Sequence, residues 1–444
     1  MSIEICTIGG FSEVGRNSTA IKVDDEVVIL DMGLHMENYI RHTEDSDVRQ
    51  HTAKELLAVE AVPNYDLIKD WKNVVGIVPS HGHLDHIGAI PFMAPLFPKV
   101  PIVCTPYTAE VIRRILKDER IKTPNKIISV NPNSTYQLSK KITIELVNIT
   151  HSIPHAALIV VHTPYGKLVY ANDYKIDRQP TLGKKPNFAR MKAIGQEKPL
   201  ALFIESLYAN AHKKTPSEAV AKQMLKDVML GVHAEGKGMI VTTFSSHLAR
   251  LKSIIEFGKK LNRKIVFIGR SLSKYVKAGE TVGIVNFTQD IEIVSHRDKV
   301  EKMLRRIMRE GKEKYLIVCT GHQGEPRAVL SRLGRGEHHY KFSPGDLVVF
   351  SCQVIPVKVN KENRSKLENN LKSHGVRLFT EIHVSGHASR EDHRDLIEMI
   401  QPQHIIPSHA GPDKTKFMAE LAKEMGYDKK HIHIMADGKR LKLS

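Results

Sequence analysis

Apolar positions fall into two textures along the chain. From Ile3 onward, short apolar runs of strand length alternate with turns: Ile3 to Ile8, Thr19 to Val23 and Val27 to Leu30, the first two separated by Gly9-Gly10-Phe11-Ser12-Glu13-Val14-Gly15. With no helix between them, these runs predict a sheet meander. Further strands are predicted over Val74 to Val78, Pro101 to Cys104, Ile142 to Val147, Leu158 to His162 and Lys167 to Tyr170, and a helix over Pro106 to Lys117 with proline in its first turn. Gly88 to Phe97 reads as a short helix cut by prolines. Residues 35 to 70 are polar and lack periodicity, and His35, His42 and His51 are spaced too irregularly for a metal site, so this stretch reads as a solvated surface insertion.

From residue 208 the texture becomes regular alternation of helix and strand: Ser217 to Leu230, Gly238 to Thr242, His247 to Leu261, Lys264 to Ile268, Val300 to Arg309 and Tyr315 to Cys319. Such alternation predicts a parallel sheet covered by helices. The last stretch returns to strand and turn, with Leu378 to Val384, a helix from Arg390 to Ile400, and the strand His404 to Ile406. The expected organisation is therefore a first domain over 1–207, an inserted α/β domain over 208–375, and the remainder of the first domain over 376–444.

Composition narrows the class. The 444 residues are 41% hydrophobic and 26% charged, which is globular. No run of about 18 apolar residues occurs, and the start Met-Ser-Ile-Glu-Ile-Cys carries no basic-then-apolar leader, so a cytoplasmic protein without membrane attachment is expected. Cys6, Cys104, Cys319 and Cys352 are scattered through apolar runs and form no metal or redox pair. A formal charge of +17, from 66 basic and 49 acidic residues, favours a long anionic partner, although dispersed lysine and arginine serving solubility give the same composition.

Chemistry concentrates in Ser80-His81-Gly82-His83-Leu84-Asp85-His86, directly behind the run Val74 to Val78. Imidazole and carboxylate are the donors that zinc, manganese or iron accept. Four donors this close cannot all reach one ion, whereas His81 with His83 and Asp85 with His86 suit two. That pattern suggests a binuclear hydrolytic centre. Donors also follow other strands: His151, Asp173 and, if the tail folds back, His409. Asp31 closes a strand as either a partner for a ligand histidine or a former of the turn before Gly33.

Taken in order, Asp31, His81 to His86, His151 and Asp173 resemble the motifs of the metallo-β-lactamase superfamily. Glu205, Ser385-Gly386-His387 and His409 resemble those of its β-CASP branch. Gly9 to Gly15, Thr150 to Pro154 and Thr320-Gly321-His322-Gln323-Gly324-Glu325-Pro326 are similar to the ribonuclease J family, in its shorter archaeal type. The resemblance implies an αββα metallo-β-lactamase sandwich with an inserted β-CASP domain. It implies two Zn2+, with Mn2+ or Mg2+ as alternative activators: His81, His83 and His151 for one ion, Asp85, His86 and His409 for the other, Asp173 bridging. It also implies a catalytic set of Asp85, His387 as general acid and Glu205 as its orienting partner, although a loop histidine that merely caps a helix gives the same sequence at 387. His155 stands where the family has an acidic residue and is placed beside the ligands; His322 stands where serine is usual. Ser245, Ser246, His247, Gly321, His322, Gln323, Gly324, Ser385, Gly386 and His387 are the candidates for gripping a phosphate of single-stranded RNA.

The activity so implied is 5′-to-3′ exonucleolytic cleavage of 5′-monophosphorylated RNA, by a protein expected to form a homodimer. The rival readings are a β-CASP endoribonuclease of the polyadenylation-factor type, a small-molecule metallo-hydrolase on the same fold, and an RNA-binding module without catalysis.

Overall fold

The meander forms as the alternation predicts. In the computed structural model, which describes residues 3–44 and 51–443, Ile3–Gly9 pairs antiparallel with Ser18–Val23, and that strand with Glu26–Leu30. Asn73–Val78, Ile102–Cys104 and Ile127–Ser129 then add in parallel. The free edge of Ile3–Gly9 is covered by Lys439–Leu443 at the end of the chain.

A second sheet has the order His404–Ser408, Ala201–Glu205, Gly166–Ala171, Ala157–Thr163, Thr143–Asn148 and Ser134–Gln137. Its inner face packs on the first sheet, where Ile5, Ile21, Val28 and Leu30 meet Leu146, Ile159, Val161 and Phe203 in one buried cluster. Its outer face is closed by helices Phe188–Gln196, Arg390–Ile400 and Pro412–Glu424, through Met191, Ile194, Leu396, Ile397, Met418 and Leu421. Alternating side chains on strands buried from both sides explain the near-continuous apolar runs in the sequence. Four buried cysteines sit in this framework and the next as small hydrophobes.

The chain divides into two compact units. One comprises Met1–Arg178, Lys184–Thr215 and Gly386–Ser444; the other Gln179–Gly183 and Pro216–Ser385. The second unit holds a parallel sheet of order Ile291–Val294, Lys264–Ile268, Tyr315–Cys319, Met239–Thr242, Leu347–Phe350 and Arg377–Phe379. Helices Leu248–Lys260, Arg270–Thr281, Arg297–Glu310 and Lys358–Ser373 connect its strands. Among the described residues no helix is long and apolar enough to cross a membrane.

Two expectations about local structure change. The run Leu378 to Val384 is a strand only over Arg377–Phe379, and it pairs in parallel with Leu347–Phe350. It therefore belongs to the inserted sheet, and the chain leaves that unit at Ser385 and not at residue 375. Residues 35 to 70 are not simply a solvated crossing. They carry helices Met36–Glu44 and Ala53–Ala58 and bury Leu56, Ala61, Val62, Tyr65 and Ile68, while residues 45–50 lie outside the described residues.

Candidate metal centre

Every donor of the centre sits just past the carboxyl end of a strand in the first unit, where a chain leaving a sheet can aim side chains into a common crevice. His81, His83, Asp85 and His86 follow Asn73–Val78; His151 follows Thr143–Asn148; Asp173 follows Gly166–Ala171; His409 follows His404–Ser408. Asp31 and His409 hold left-handed backbone, at φ 58° and 54°, a strain that proteins retain where side-chain direction matters.

Two groups result, each with donor atoms within 4.8 Å of one another: His81, His83, His151 and Asp173, and Asp85, His86, Asp173 and His409. Asp173 stands between them. Its Oδ2 is 3.6 Å from His81 Nε2, 3.5 Å from His151 Nε2 and 3.3 Å from His86 Nε2, and its Oδ1 is 3.5 Å from His409 Nε2. His83 Nδ1 lies 3.1 Å from both His81 Nε2 and His151 Nε2. Two nitrogens on one tetrahedral zinc at about 2.05 Å stand roughly 3.3 Å apart, so these separations suit a shared cation. Asp173 Oδ1 is buried and accepts no hydrogen bond, which is costly for a carboxylate oxygen unless a cation satisfies it. The residues present fit a pair of divalent ions.

The far side of four ligand rings is occupied in a way that aims the other nitrogen inward. His86 Nδ1 donates to Asp31 Oδ2 at 2.7 Å, His151 Nδ1 to the Gly386 carbonyl at 2.7 Å, and His409 Nδ1 to Asn17 Oδ1 at 3.0 Å. His81 Nδ1 meets Ser80 Oγ at 3.0 Å, and that hydroxyl in turn donates to Asp31. Because these acceptors require the proton on Nδ1, the Nε2 lone pair is left for a cation. Burial, the leading cause, lowers His81, His151 and His409 below the ordinary imidazole range and brings His83 down to about 4, so these rings stay neutral donors.

Two glycines make room for this wiring. A Cβ on Gly33 would stand 1.6 Å from the Asp85 carbonyl oxygen, and one on Gly386 would stand 2.7 Å from Ser152 Cβ. Neither backbone could approach the centre so closely with a side chain.

Beside the ligands, His387 Nδ1 is bonded to Glu205 Oε2 at 2.8 Å and lies 3.9 Å from Asp173 Oδ2. Burial alone would lower the His387 ring; the Glu205 carboxylate, then Asp173, reverse this and raise it to about 9. Glu205 is itself fixed by Tyr174 N at 3.0 Å and Ala388 N at 3.3 Å.

Comparison with known proteins gives this arrangement a lineage. Residues 12–203 match the metallo-beta-lactamase superfamily, 236–371 the ribonuclease J beta-CASP domain, and 376–435 the Zn-dependent metallo-hydrolase RNA specificity domain. Ribonuclease J of Methanocaldococcus jannaschii is 43% identical, over 99% of this chain and 99% of its own, and ribonuclease J of Pyrococcus abyssi is 43% identical over 96% and 93%. The chain belongs to the ribonuclease J family. Ribonuclease J 1 of Streptococcus pyogenes is 31% identical over the whole of this chain and 74% of its own. A crystal structure of a protein of unknown function from Enterococcus faecalis V583 shares the fold, with a TM-score of 0.67 at 16% identity and full coverage of both chains.

In this ribonuclease J family member the remaining candidates divide. Ser245, Ser246 and His247 follow Met239–Thr242, and Gly321, His322, Gln323 and Gly324 follow Tyr315–Cys319; Thr242 pairs with Cys319, so both loops leave the same carboxyl edge of the inserted sheet. Ser245 Oγ contacts Ser271 Oγ at 2.9 Å, and the His322 ring packs on Phe244 with centroids 4.3 Å apart. Gln323 spends both ends of its amide on the fold, donating to Gln353 O and accepting from Ile355 N, each at 2.9 Å. His247 caps helix Leu248–Lys260 and reaches Glu218 at 3.4 Å. Ser385 ends the inserted unit, one residue before the Gly386 carbonyl that holds His151.

His155, expected beside the ligands and not among them, makes none of the hydrogen bonds that orient them: its Nδ1 is buried without a hydrogen-bond partner, and the residue turns through left-handed backbone at φ 57° while its carbonyl accepts from Thr105. Conversely, Asn17 joins the centre although no metal-ligand pattern includes it. Its sequence signal is only an amide closing the glycine turn that ends at Gly15; in the fold it is buried and binds both His409 and, through Nδ2 at 3.1 Å, the Asp85 carbonyl. The Gly386 carbonyl has no sequence signal, since every residue carries one.

Proposed function

We propose that this protein is a zinc-dependent ribonuclease that acts chiefly from the 5′ end of single-stranded, 5′-monophosphorylated RNA. The observation that carries the reading is Asp173 shared between two donor groups, with His387 and Glu205 beside it. Membership of the ribonuclease J family and the match to an RNA specificity domain support a nuclease acting on RNA.

Two cations held by these groups would supply positive charge to the phosphoryl oxygens and would acidify a water toward neutral pH. The remaining work falls to side chains. Asp85, a quarter exposed on its side chain, can accept a hydrogen bond from the attacking water. His387 keeps its Nδ1 proton on Glu205 and offers Nε2–H to the leaving 3′ oxygen, which needs a proton as the phosphodiester breaks. The serine and glycine loops at the carboxyl edge of the inserted sheet offer hydroxyls and backbone N–H groups to a terminal phosphate, and the net charge of +17 favours a polyanion.

The test is a time course on 5′-labelled RNA bearing one or three phosphates, with zinc measured on the same preparation. Early release of labelled mononucleotide from the monophosphate alone supports the reading. Large labelled fragments at early times would make it an endonuclease, and equal rates on both ends would remove the phosphate pocket.

A further inference from the structure

Charge is divided unevenly between the two units. The inserted unit holds 30 of the 66 basic residues and 17 of the 49 acidic ones, so it carries +13 of the formal +17. Several of its exposed cations are already neutralised: Lys259 by Asp290 at 2.7 Å, Lys260 by Glu256 at 3.1 Å and Arg335 by Glu337 at 2.6 Å. Pairs of that kind solvate a surface and ask for no partner.

Helix Arg297–Glu310 is different. It joins Ile291–Val294 to Tyr315–Cys319, both parallel to Lys264–Ile268, so it returns from the carboxyl edge of the sheet to the amino edge. Val300, Met303, Leu304 and Ile307 hold its inner face in the core. On the outer face Lys302, Arg305 and Arg309 are exposed at positions i, i+3 and i+7, one stripe along two turns. The acids beside them are engaged elsewhere. Glu301 accepts from His338 and His339, and Glu310 from Lys264 at 2.9 Å and Tyr315 at 2.5 Å. Arg306, next to the stripe, is paired with Glu292 at 2.6 Å. Among the described residues Lys302, Arg305 and Arg309 have no ion-pair partner, and Asp298, one turn before Lys302, makes no ion pair with it. Like charges at helical spacing repel, so the stripe is unfavourable in the free chain and gains from an anion.

The spacing narrows the anion. Side chains three and four apart on a helix stand about 5–6 Å from one another, so three long cationic side chains can meet successive phosphates of one strand. The helix carries no aromatic residue on which a base could stack. Contact is then with the sugar–phosphate backbone, which positions a strand without reading its sequence. We propose that Lys302, Arg305 and Arg309 form a track for the backbone of single-stranded RNA, distinct from the loops at the carboxyl edge that are offered to its terminal phosphate. This rests on RNA as the substrate. An acidic protein shares the charge but not the regular spacing of phosphates, which favours RNA.

The experiment uses the full chain in chelator, which stops cleavage, and measures its affinity for fluorescent oligo(U) over a range of KCl concentrations. Each phosphate neutralised on a single strand adds about 0.7 to the slope of log affinity against log salt. The K302Q/R305Q/R309Q variant should therefore flatten that slope by about 2, for oligo(U) and oligo(A) alike. With zinc restored it should raise KM for RNA and leave kcat within twofold. Its melting temperature should not fall, since glutamine keeps the helix and removes repulsion. The K214Q/K259Q/K260Q variant loses three cations that Asp395, Asp290 and Glu256 already neutralise, and should flatten the slope by less than one phosphate. An equal slope in wild type and the stripe variant overturns the track. So does an equal fall in both variants, which reduces the effect to bulk charge. A stripe variant that keeps oligo(U) but loses poly-L-glutamate also overturns it and gives the face to an acidic protein. Wild type that binds no single-stranded RNA would sink the RNA reading itself, which none of the other outcomes does.

Discussion

Replacing Asp31 by asparagine cuts the wiring behind His86 while sparing that behind His81, because the retained amide oxygen can still accept from Ser80 Oγ, which holds His81 Nδ1. Asp31 is fully buried; its Oδ1 accepts from Ser80 N at 2.7 Å and its Oδ2 from His86 Nδ1 at 2.7 Å. The Ser80 N–H is a fixed donor, so the asparagine oxygen must take the Oδ1 place and its NH2 the Oδ2 place, donor against donor with His86 Nδ1–H. The ring escapes by moving its proton to Nε2, the nitrogen that faces Asp85 and Asp173. A protonated nitrogen cannot bind a cation. Lost orienting partners of metal-binding histidines typically cost 10–100-fold in affinity, about 1.4–2.7 kcal/mol. The assay is titration with a competing zinc indicator. Asp31→Asn should weaken one of the two centre ions by that factor and leave the ion of His81, His83 and His151 near its wild-type affinity, with circular dichroism unchanged. Both ions binding as tightly as in wild type would refute the tautomer argument.

Asn17→Ala should act in the same way through His409, lowering zinc affinity without unfolding the chain, as followed by the same titration. His387→Ala should slow RNA cleavage by 100-fold or more at unchanged zinc content, in line with the usual 10²–10⁴ of acid catalysis; loss of zinc instead would make His387 a ligand. Arg250→Met should destabilise the inserted unit by roughly 3–5 kcal/mol in urea unfolding, because Arg250 is buried and pairs with Glu218 through two hydrogen bonds of 2.6 and 2.9 Å, and its loss strips the buried carboxylate of its guanidinium while His247 stays 3.4 Å away. Glu145 sets a pH dependence: burial raises its carboxyl, but hydrogen bonds from Arg190 and His162 outweigh this and hold it at about 2, so its contribution is present above the ordinary carboxylate pKa and is lost as pH falls toward 2. Wild type should therefore lose more stability than Glu145→Gln between pH 5 and 3, as read by urea midpoints.

The centre was largely legible because its ligands obey a local rule: each is a donor just past an apolar strand, and four of them lie within six residues. What the sequence hid is what non-local geometry decides. Asn17 reaches His409 across 392 positions, and His151 is held by a carbonyl that any residue would supply. Lys439–Leu443 alternates lysine and arginine with leucine at an edge, where one face is solvated, so its apolar signal is too thin to predict a strand. Arg377–Phe379 is a strand of only three residues, and nothing in so short a run says which sheet it joins. The helix Lys358–Ser373 buries Leu367 and Leu371 on an otherwise charged surface, and two leucines do not make a period.

The account turns on Asp173 lying between two bound ions. Anomalous diffraction at the zinc edge from crystals of the zinc-loaded protein tests this most directly. It should show two peaks in the first unit, one against His81, His83 and His151 and one against Asp85, His86 and His409, each within bonding distance of an Asp173 carboxylate oxygen. A single peak there, or two peaks with Asp173 bound to neither, would contradict it.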